Sequence, residues 1–385
     1  MIKLNNAERL LAEKLEQLKN KSGTHSPSFH AIRELGIQVD VDACFLSNPY
    51  ATDLFIEYLN RELVETNELR KYIELYPSQN ERIAEMLSKR LDIPSDYLFI
   101  GNGAIEIIQA LLHRKVRGKL AIPIPTFSSY YEFLTDKTEP IYYHLSKDDD
   151  YKMDVKDYVS FIELNAINNA LLINPNNPDG GYLSGNELKF VLDRLIHLDN
   201  IILDESFIHF ANAEDKDLVR NEDLVREYPN LVIIKSLSKD FGIAGIRCGY
   251  AVMQPSLRMD LLKNGFLWNS SGLSEYFFGL YANDVFYNKY LEGRELYVRE
   301  TAEMYSRLSG LNGIKVIPTC ANFFLIELLD GTSSHTLFTK LMLSYGVYVR
   351  NCSDKIGLAG EYIRVASRSK TENEVIIMAF EELYG

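Results

Sequence analysis

The segment from 97 to 252 constrains this chain most, because it alternates between two periodicities. Short apolar runs recur as YLFI (97–100), KLAIP (119–123), IYYHL (141–145), ALLIN (170–174), NIILD (200–204), LVIIK (231–235) and CGYAV (248–252). Stretches of helical period separate several of them, at 104–114, 184–197 and 214–228. Runs of four or five apolar residues fit strands buried on both faces, and helices between them require crossover connections. The pattern predicts an α/β fold, a mostly parallel sheet flanked by helices. After about 270 the pattern changes. A long helical region (274–308) precedes ANFFLIEL (321–328), a loop near Gly346 and EYIRVASR (361–368), which reads as a smaller α+β domain. Residues 5–20 carry a helical period through Leu10, Leu11, Leu15 and Leu18, followed by a turn-rich loop at 22–28. The expected organisation is an N-terminal helix and loop (1–45) joining the small domain, a large domain (46–270) and a small C-terminal domain (271–385).

In open α/β sheets, ligands bind beyond the carboxyl ends of the strands. The polar segments of this chain fall there: GNGAIE (101–106), PTFSSY (125–130), NPNNP (174–178), DES (204–206) and SLSK (236–239). Five such loops converge on one crevice. Glu106 stands where a GxGxxG dinucleotide fingerprint needs its last glycine, so a nicotinamide dehydrogenase is disfavoured. The GNG turn instead offers free amides at a helix N-terminus, suited to a phosphate. Asp204 ends an apolar strand, where a carboxylate is costly unless a cation accompanies it, although capping a turn would also account for it. Lys239 follows a buried strand and precedes a glycine-bearing segment, a setting that desolvates an amine and lowers its pKa. Phe127 can stack on a planar ligand or simply pack, and Asn177 can donate to a ligand or serve its turn.

The formal net charge of −13 argues against a dominant nucleic-acid or anionic-membrane surface, and against a regulator with a basic DNA-binding domain. No stretch approaches the roughly 18 apolar residues of a membrane helix. The N-terminus lacks the apolar core of a signal peptide. Four cysteines without CxxC or Cys/His spacing read as reduced thiols, and the seven histidines are scattered, so no metal site is expected. The expectation is a cytoplasmic protein acting on a small molecule.

The ordered set GNG, PTF, NPNNP, DES and SLSKDFGIAGIR (236–247) resembles the class I/II aminotransferases, the fold type I of pyridoxal 5′-phosphate (PLP) enzymes, over roughly residues 25–375. The resemblance implies that Lys239 holds PLP as a Schiff base and shuttles the proton at Cα. It implies that Asp204 pairs with the pyridine nitrogen, that Asn177 donates to the ring hydroxyl and that Phe127 stacks on the ring. Gly103, Ala104 and Ile105, through their amides, would hold the phosphate with Ser236, Ser238 and Arg247. It further implies a homodimer in which Tyr76, in ELYP (74–77), reaches the neighbouring subunit's cofactor phosphate, and Arg364 grips the substrate carboxylate. One departure is that many members read DEAY where this chain reads DESF (204–207); Phe207 cannot donate, so Asn177 would act alone.

Within the family the chain is most similar to L-threonine-O-3-phosphate decarboxylases and histidinol-phosphate aminotransferases. Phe207, the segment VRNCSDKIGL (349–358) and YIRVASR (362–368) resemble the first group, and THSPS (24–28) faintly resembles its opening His-Gly-Gly segment. Arg350, with His25, would then bind the substrate's phosphate. The leading expectation is decarboxylation of phosphoserine or phosphothreonine, because one methyl in a pocket is worth only ~1–3 kcal/mol. The alternative is transamination of a small phosphorylated carbonyl compound, with a donor such as glutamate. The two reactions differ in which bond at Cα stands perpendicular to the ring.

Overall fold

The computed structural model describes residues 2–21, 26–27, 29–211, 221–263 and 265–385. A seven-stranded sheet forms its centre. In spatial order the strands are Leu98–Asn102, Cys248–Val252, Leu231–Ser236, Asn200–Asp204, Asn169–Ile173, Gly118–Ile124 and Thr138–His144. All are parallel except Cys248–Val252, which runs antiparallel to both neighbours. Each apolar run singled out above is one of these strands.

Successive side chains point to opposite faces of the sheet, and the core divides accordingly. Leu98, Ile100, Ala170, Leu172, Ile201, Leu203, Leu231 and Ile233 pack into the core on one face. Phe99, Leu171, Ile173, Ile202, Val232 and Ile234 pack into the core on the other, against Ile107, Ile108, Leu111 and Leu112 of helix Ala104–Arg114. Burial on both faces explains why these strands read as continuous apolar runs.

The helix expected at 184–197 spans Gly185–Leu195, opened by a capping box between Ser184 and Glu187. Of the helix expected at 214–228, Asn221–Glu227 is described, and 212–220 lie outside the described residues. The long helical region expected over 274–308 consists of two helices, Gly272–Tyr281 and Asp284–Ser309. The break falls at Asn283, whose side-chain oxygen accepts from the Val285 and Phe286 amides (2.9 and 3.1 Å) and restarts the helix as an N-cap.

A second, four-stranded antiparallel sheet follows in the order Arg350–Asn351, Tyr362–Ala366, Phe323–Leu328, Ile314–Val316. It shares a core with helices Asp284–Ser309, Ser334–Tyr345 and Lys370–Tyr384 through Met304, Leu308, Leu337, Leu341, Ile376 and Phe380. The N-terminal helix Asn6–Lys21 docks on this region. Leu15 packs with Ile32, Met342 and Tyr348, and the Glu8 carboxylate accepts from Lys340 Nζ and Ser344 Oγ (2.9 and 2.8 Å). Among the described residues no helix is long and apolar enough to cross a membrane.

Candidate active site

A cavity of about 360 Å3 opens beyond the carboxyl ends of the parallel strands, and each polar loop identified in the sequence contributes to it. Ala104 and Ile105 come from the GNG turn, Phe127 and Ser128 from PTFSSY, Asn177 from NPNNP, and Asp204, Ser206 and Phe207 from DESF. Ser236 ends strand Leu231–Ser236, and Ser238, Lys239 and Arg247 come from the segment after it. Arg350, Lys355 and Arg364 close the far end from the second sheet and its loop.

The strand register sets the central carboxylate. Asp204 is the last residue of its strand and is paired with Ile173 on one side and Ile234 on the other. It is only 5% exposed, and burial pushes its pKa up. Its carboxylate accepts from Tyr130 Oη (2.8 Å), the Ser206 amide (2.9 Å) and Ser206 Oγ (2.5 Å). These bonds partly offset the desolvation and fix the carboxylate in position.

Lys239 has the opposite electrostatic problem. Burial first, then the nearby guanidinium groups of Arg364 and Arg247, push its pKa down to about 8. At neutral pH about one in ten of these amines is therefore free base, against roughly one in three thousand for an ordinary lysine. The desolvation expected from the sequence is present.

Behind Lys239 lies a buried charge cluster without an obvious sequence signal. Asp240 takes Lys235 Nζ at 3.2 Å and also hydrogen-bonds His209, while Lys235 donates to the Glu205 carbonyl (3.2 Å). This cluster anchors the backbone on either side of Lys239.

Arg364 is held by neutral partners: its Nη1 donates to Asn177 Oδ1 (2.6 Å) and its Nη2 to the Cys44 carbonyl (2.9 Å). Its buried Nε has no hydrogen-bond partner among the described residues. Because Arg364 takes the Asn177 oxygen, the Asn177 NH2 is the end left to donate. Phe207 lines the cavity and packs edge-on against Phe323, with ring centroids 5.1 Å apart.

At the other end, Arg247 takes a positive φ of 67°, a conformation that non-glycine residues adopt rarely and that costs of order 1–3 kcal/mol. This backbone turn accompanies bonds from its guanidinium to the Ala244 and Asn102 carbonyls (3.0 and 3.4 Å). Gly103 has φ +76°, and a Cβ there would sit 2.4 Å from Arg247 Nη2. A Cβ on Gly249 would meet the Ala104 amide nitrogen at 2.6 Å. The two glycines thus bring helix Ala104–Arg114, by its N-terminus, and Arg247 to one small concavity.

Two sequence expectations are adjusted. The Gly103 amide is not a free donor, since it bonds to the Gly101 carbonyl (2.8 Å) and closes the turn; the first amides of the helix, at Ala104 and Ile105, have no intrahelical partner. Arg350 lines the cavity but is already engaged, its Nη2 lying 2.9 and 2.8 Å from the two carboxylate oxygens of Asp354. Tyr76, expected to serve a neighbouring subunit, lies outside this chain's own cavity; it is 81% exposed and stacks on Trp268 with ring centroids 5.0 Å apart. His25 lies outside the described residues, and its neighbour Ser26 lines the cavity. Sequence reasoning missed Tyr130, Ser206 and Lys355. The first two sit inside quoted motifs and would have emerged from asking what satisfies a buried Asp204, whereas nothing local to the sequence marks Lys355.

The signature of aminotransferases of class I and II matches residues 45–380. An L-serine phosphate decarboxylase of Campylobacter jejuni is 48% identical over 388 residues, spanning 100% of this chain and 99% of the relative. An L-serine phosphate decarboxylase of Sulfurospirillum multivorans is 43% identical over 370 residues, spanning 95% and 94%. The solved structure of a decarboxylase from Sulfurospirillum multivorans superposes with a TM-score of 0.93 at 41% identity, covering 98% of this chain and 97% of the other. With its sheet order, its convergent strand-end loops and these matches, the chain belongs to the class I and II aminotransferase family.

Proposed function

We propose that this protein is a PLP-dependent decarboxylase that converts O-phospho-L-serine to CO2 and O-phosphoethanolamine. The observation that carries the reading is the charge balance of the cavity. Five cationic side chains line it, Lys239, Arg247, Arg350, Lys355 and Arg364; Asp204 is the carboxylate lining it among the described residues, and Asp354 outside the lining holds Arg350, which leaves a clear excess of positive charge. A cofactor phosphate, a substrate phosphate and a substrate carboxylate are anions that such an excess would attract. The similarity to two L-serine phosphate decarboxylases supports this choice over transamination.

The residues fit the cofactor. The concavity formed by Gly103, Gly249 and Arg247 has the helix amides of Ala104 and Ile105 beside it, and the buried Ser238 Oγ in the same cavity has no hydrogen-bond partner among the described residues. Those groups would hold the phosphate, with Ser236 alongside. Lys239 would hold the aldehyde carbon, Phe127 would cover the ring, Asn177 would donate to the ring hydroxyl, and Asp204 would keep the ring nitrogen protonated. When bound, PLP supplies an electron sink for the pair left behind as the carboxylate departs. Arg364 would bind the substrate carboxylate with its open Nε. Lys239 would then deliver the proton that replaces the carboxylate on Cα.

Of the domain limits 1–45, 46–270 and 271–385, the docked N-terminal helix and the second sheet support the division in outline, but Tyr276, Phe277, Phe278, Tyr281, Phe286 and Tyr290 pack in the core of the central sheet, so the last boundary would fall after residue 290. A homodimer accords with the exposed apolar group of Ile73, Leu75, Tyr76, Leu267 and Trp268, a patch that would be covered as Tyr76 reaches the partner's cofactor phosphate. Four free cysteines accord with a reducing cytoplasm.

The test is CO2 release from O-phospho-L-serine by the PLP-loaded protein, with O-phospho-L-threonine and L-glutamate as comparisons. Release from phosphoserine, with visible absorbance unaffected by glutamate, is expected. Conversion of the cofactor by glutamate alone would make the protein a transaminase. Cofactor uptake should also depend on pH, because only neutral Lys239 attacks the aldehyde. Its pKa of about 8 predicts an uptake rate rising about tenfold per pH unit below 8 and levelling above it. A rate that still climbs steeply between about pH 9 and 10 would mean an ordinary lysine.

A further inference from the structure

The cavity's cations are not equivalent. Arg350, the residue first expected to meet the substrate's phosphate, already holds both oxygens of Asp354 and also donates to the Asn351 carbonyl. Its charge is neutralised inside the protein. Freeing it would leave the Asp354 carboxylate beside an incoming phosphate, which is repulsive.

Lys355, the next residue, is in a different state. Its amide donates to the Cys352 carbonyl (3.0 Å), a turn that carries the side chain to the cavity wall. Its Nζ donates to the Thr126 carbonyl (3.3 Å), in the loop after strand Gly118–Ile124. Among the described residues no carboxylate forms an ion pair with it. Burial, and then Arg350, push its pKa down to about 8, so its ammonium is poorly compensated but still mostly protonated at neutral pH.

We propose that Lys355 receives the substrate's phosphate and thereby determines the preference for a phosphorylated amino acid over the free one. The inference rests on the decarboxylase reading above and assigns its specificity. A phosphate at Lys355 supplies the counter-charge that Thr126, a neutral acceptor, does not. An unphosphorylated serine would leave the ammonium with only the Thr126 carbonyl and the more distant charge of Asp354, and a site built for a charged partner discriminates strongly against a ligand that lacks it. Lys355 also bridges the second sheet's loop to a loop of the central sheet, so the phosphate would lie where the two regions meet.

The product O-phosphoethanolamine isolates this contact, because it has the phosphate and lacks the carboxylate that Arg364 would bind. Its binding to the PLP-loaded protein is measured by calorimetry, and binding of L-serine by the change in visible absorbance, in wild type, Lys355→Gln and Lys355→Arg. Lys355→Gln should weaken phosphoethanolamine on the order of tenfold to a hundredfold and leave L-serine within about twofold. Lys355→Arg should restore most of the loss, which also shows that the position tolerates change. Equal weakening of both ligands would make Lys355 a support for the Thr126 loop, and unchanged phosphoethanolamine binding would place the phosphate elsewhere; either overturns the proposal, as does a wild type that fails to bind phosphoethanolamine. Failure of wild type to release CO2 from phosphoserine would count against the decarboxylase reading separately, since it is scored on a different measurement.

Discussion

Lys239→Ala is expected to fold normally and to lose turnover of phosphoserine by at least about a thousandfold. Lys239 is a half-buried residue whose amine is desolvated and repelled by two guanidinium groups, Arg364 and Arg247. Removing it relieves both desolvation and repulsion. Because its folded pKa lies below the unfolded value, its charged form opposes folding at low pH; the stability gained by the variant should be complete below about pH 8 and vanish above the ordinary lysine pKa. Its main-chain carbonyl, which accepts the Asn48 amide at 3.0 Å, is untouched by the substitution. The chemistry, in contrast, has no substitute for the amine. The other lysine lining the cavity, Lys355, comes from the second sheet's loop rather than the strand-end segment that carries Lys239. The check is CO2 release together with a thermal melt and the visible spectrum of the PLP-treated variant. Turnover within tenfold of wild type would overturn the assignment of Lys239.

Asp204→Asn is expected to retain the cofactor and lower kcat by about a hundredfold to ten-thousandfold, with little change in KM. Asparagine matches the shape of aspartate and can still accept from Ser206, so the local structure should persist. What disappears is the negative charge. A buried carboxylate whose own pKa is raised by burial is stabilised by a cation placed against it, and it stabilises that cation in return. Under the proposed function, no other carboxylate among the described lining residues would then keep a proton on the cofactor's ring nitrogen, and the electron sink would be weaker. Tyr130 and Ser206 act through Asp204 by fixing its orientation. Steady-state kinetics with a parallel absorbance titration distinguish the outcomes. A kcat within about threefold of wild type would mean that Asp204 only caps its turn.

Most of the fold was legible because its signals are local. A strand covered on both faces must be apolar at successive positions, so YLFI, ALLIN and LVIIK announce themselves without knowledge of their neighbours. The break at Asn283 was missed because the apolar period continues across it, and the cap depends on one side chain turning back to two amides. The site was legible where a motif combines a strand end with an unusual polar residue, as at Asp204 and Lys239. It was illegible where the partner comes from afar: Tyr130 reaches Asp204 across 74 positions, and Arg364 reaches Asn177 across 187.

Arg350 and Lys355 mark the boundary between the two kinds of information. The sequence by itself determined the sheet, the strand-end loops and the presence of cationic residues in 349–364, because periodicity and residue type are properties of neighbours along the chain. Which cation is free is another matter. That depends on Arg350 meeting Asp354 four residues on, and on Lys355 being carried against Thr126, more than two hundred positions away. Whether a charge is neutralised or left to a ligand is set by distance and burial in space, and only the packing of the second sheet against the strand ends of the first decided it.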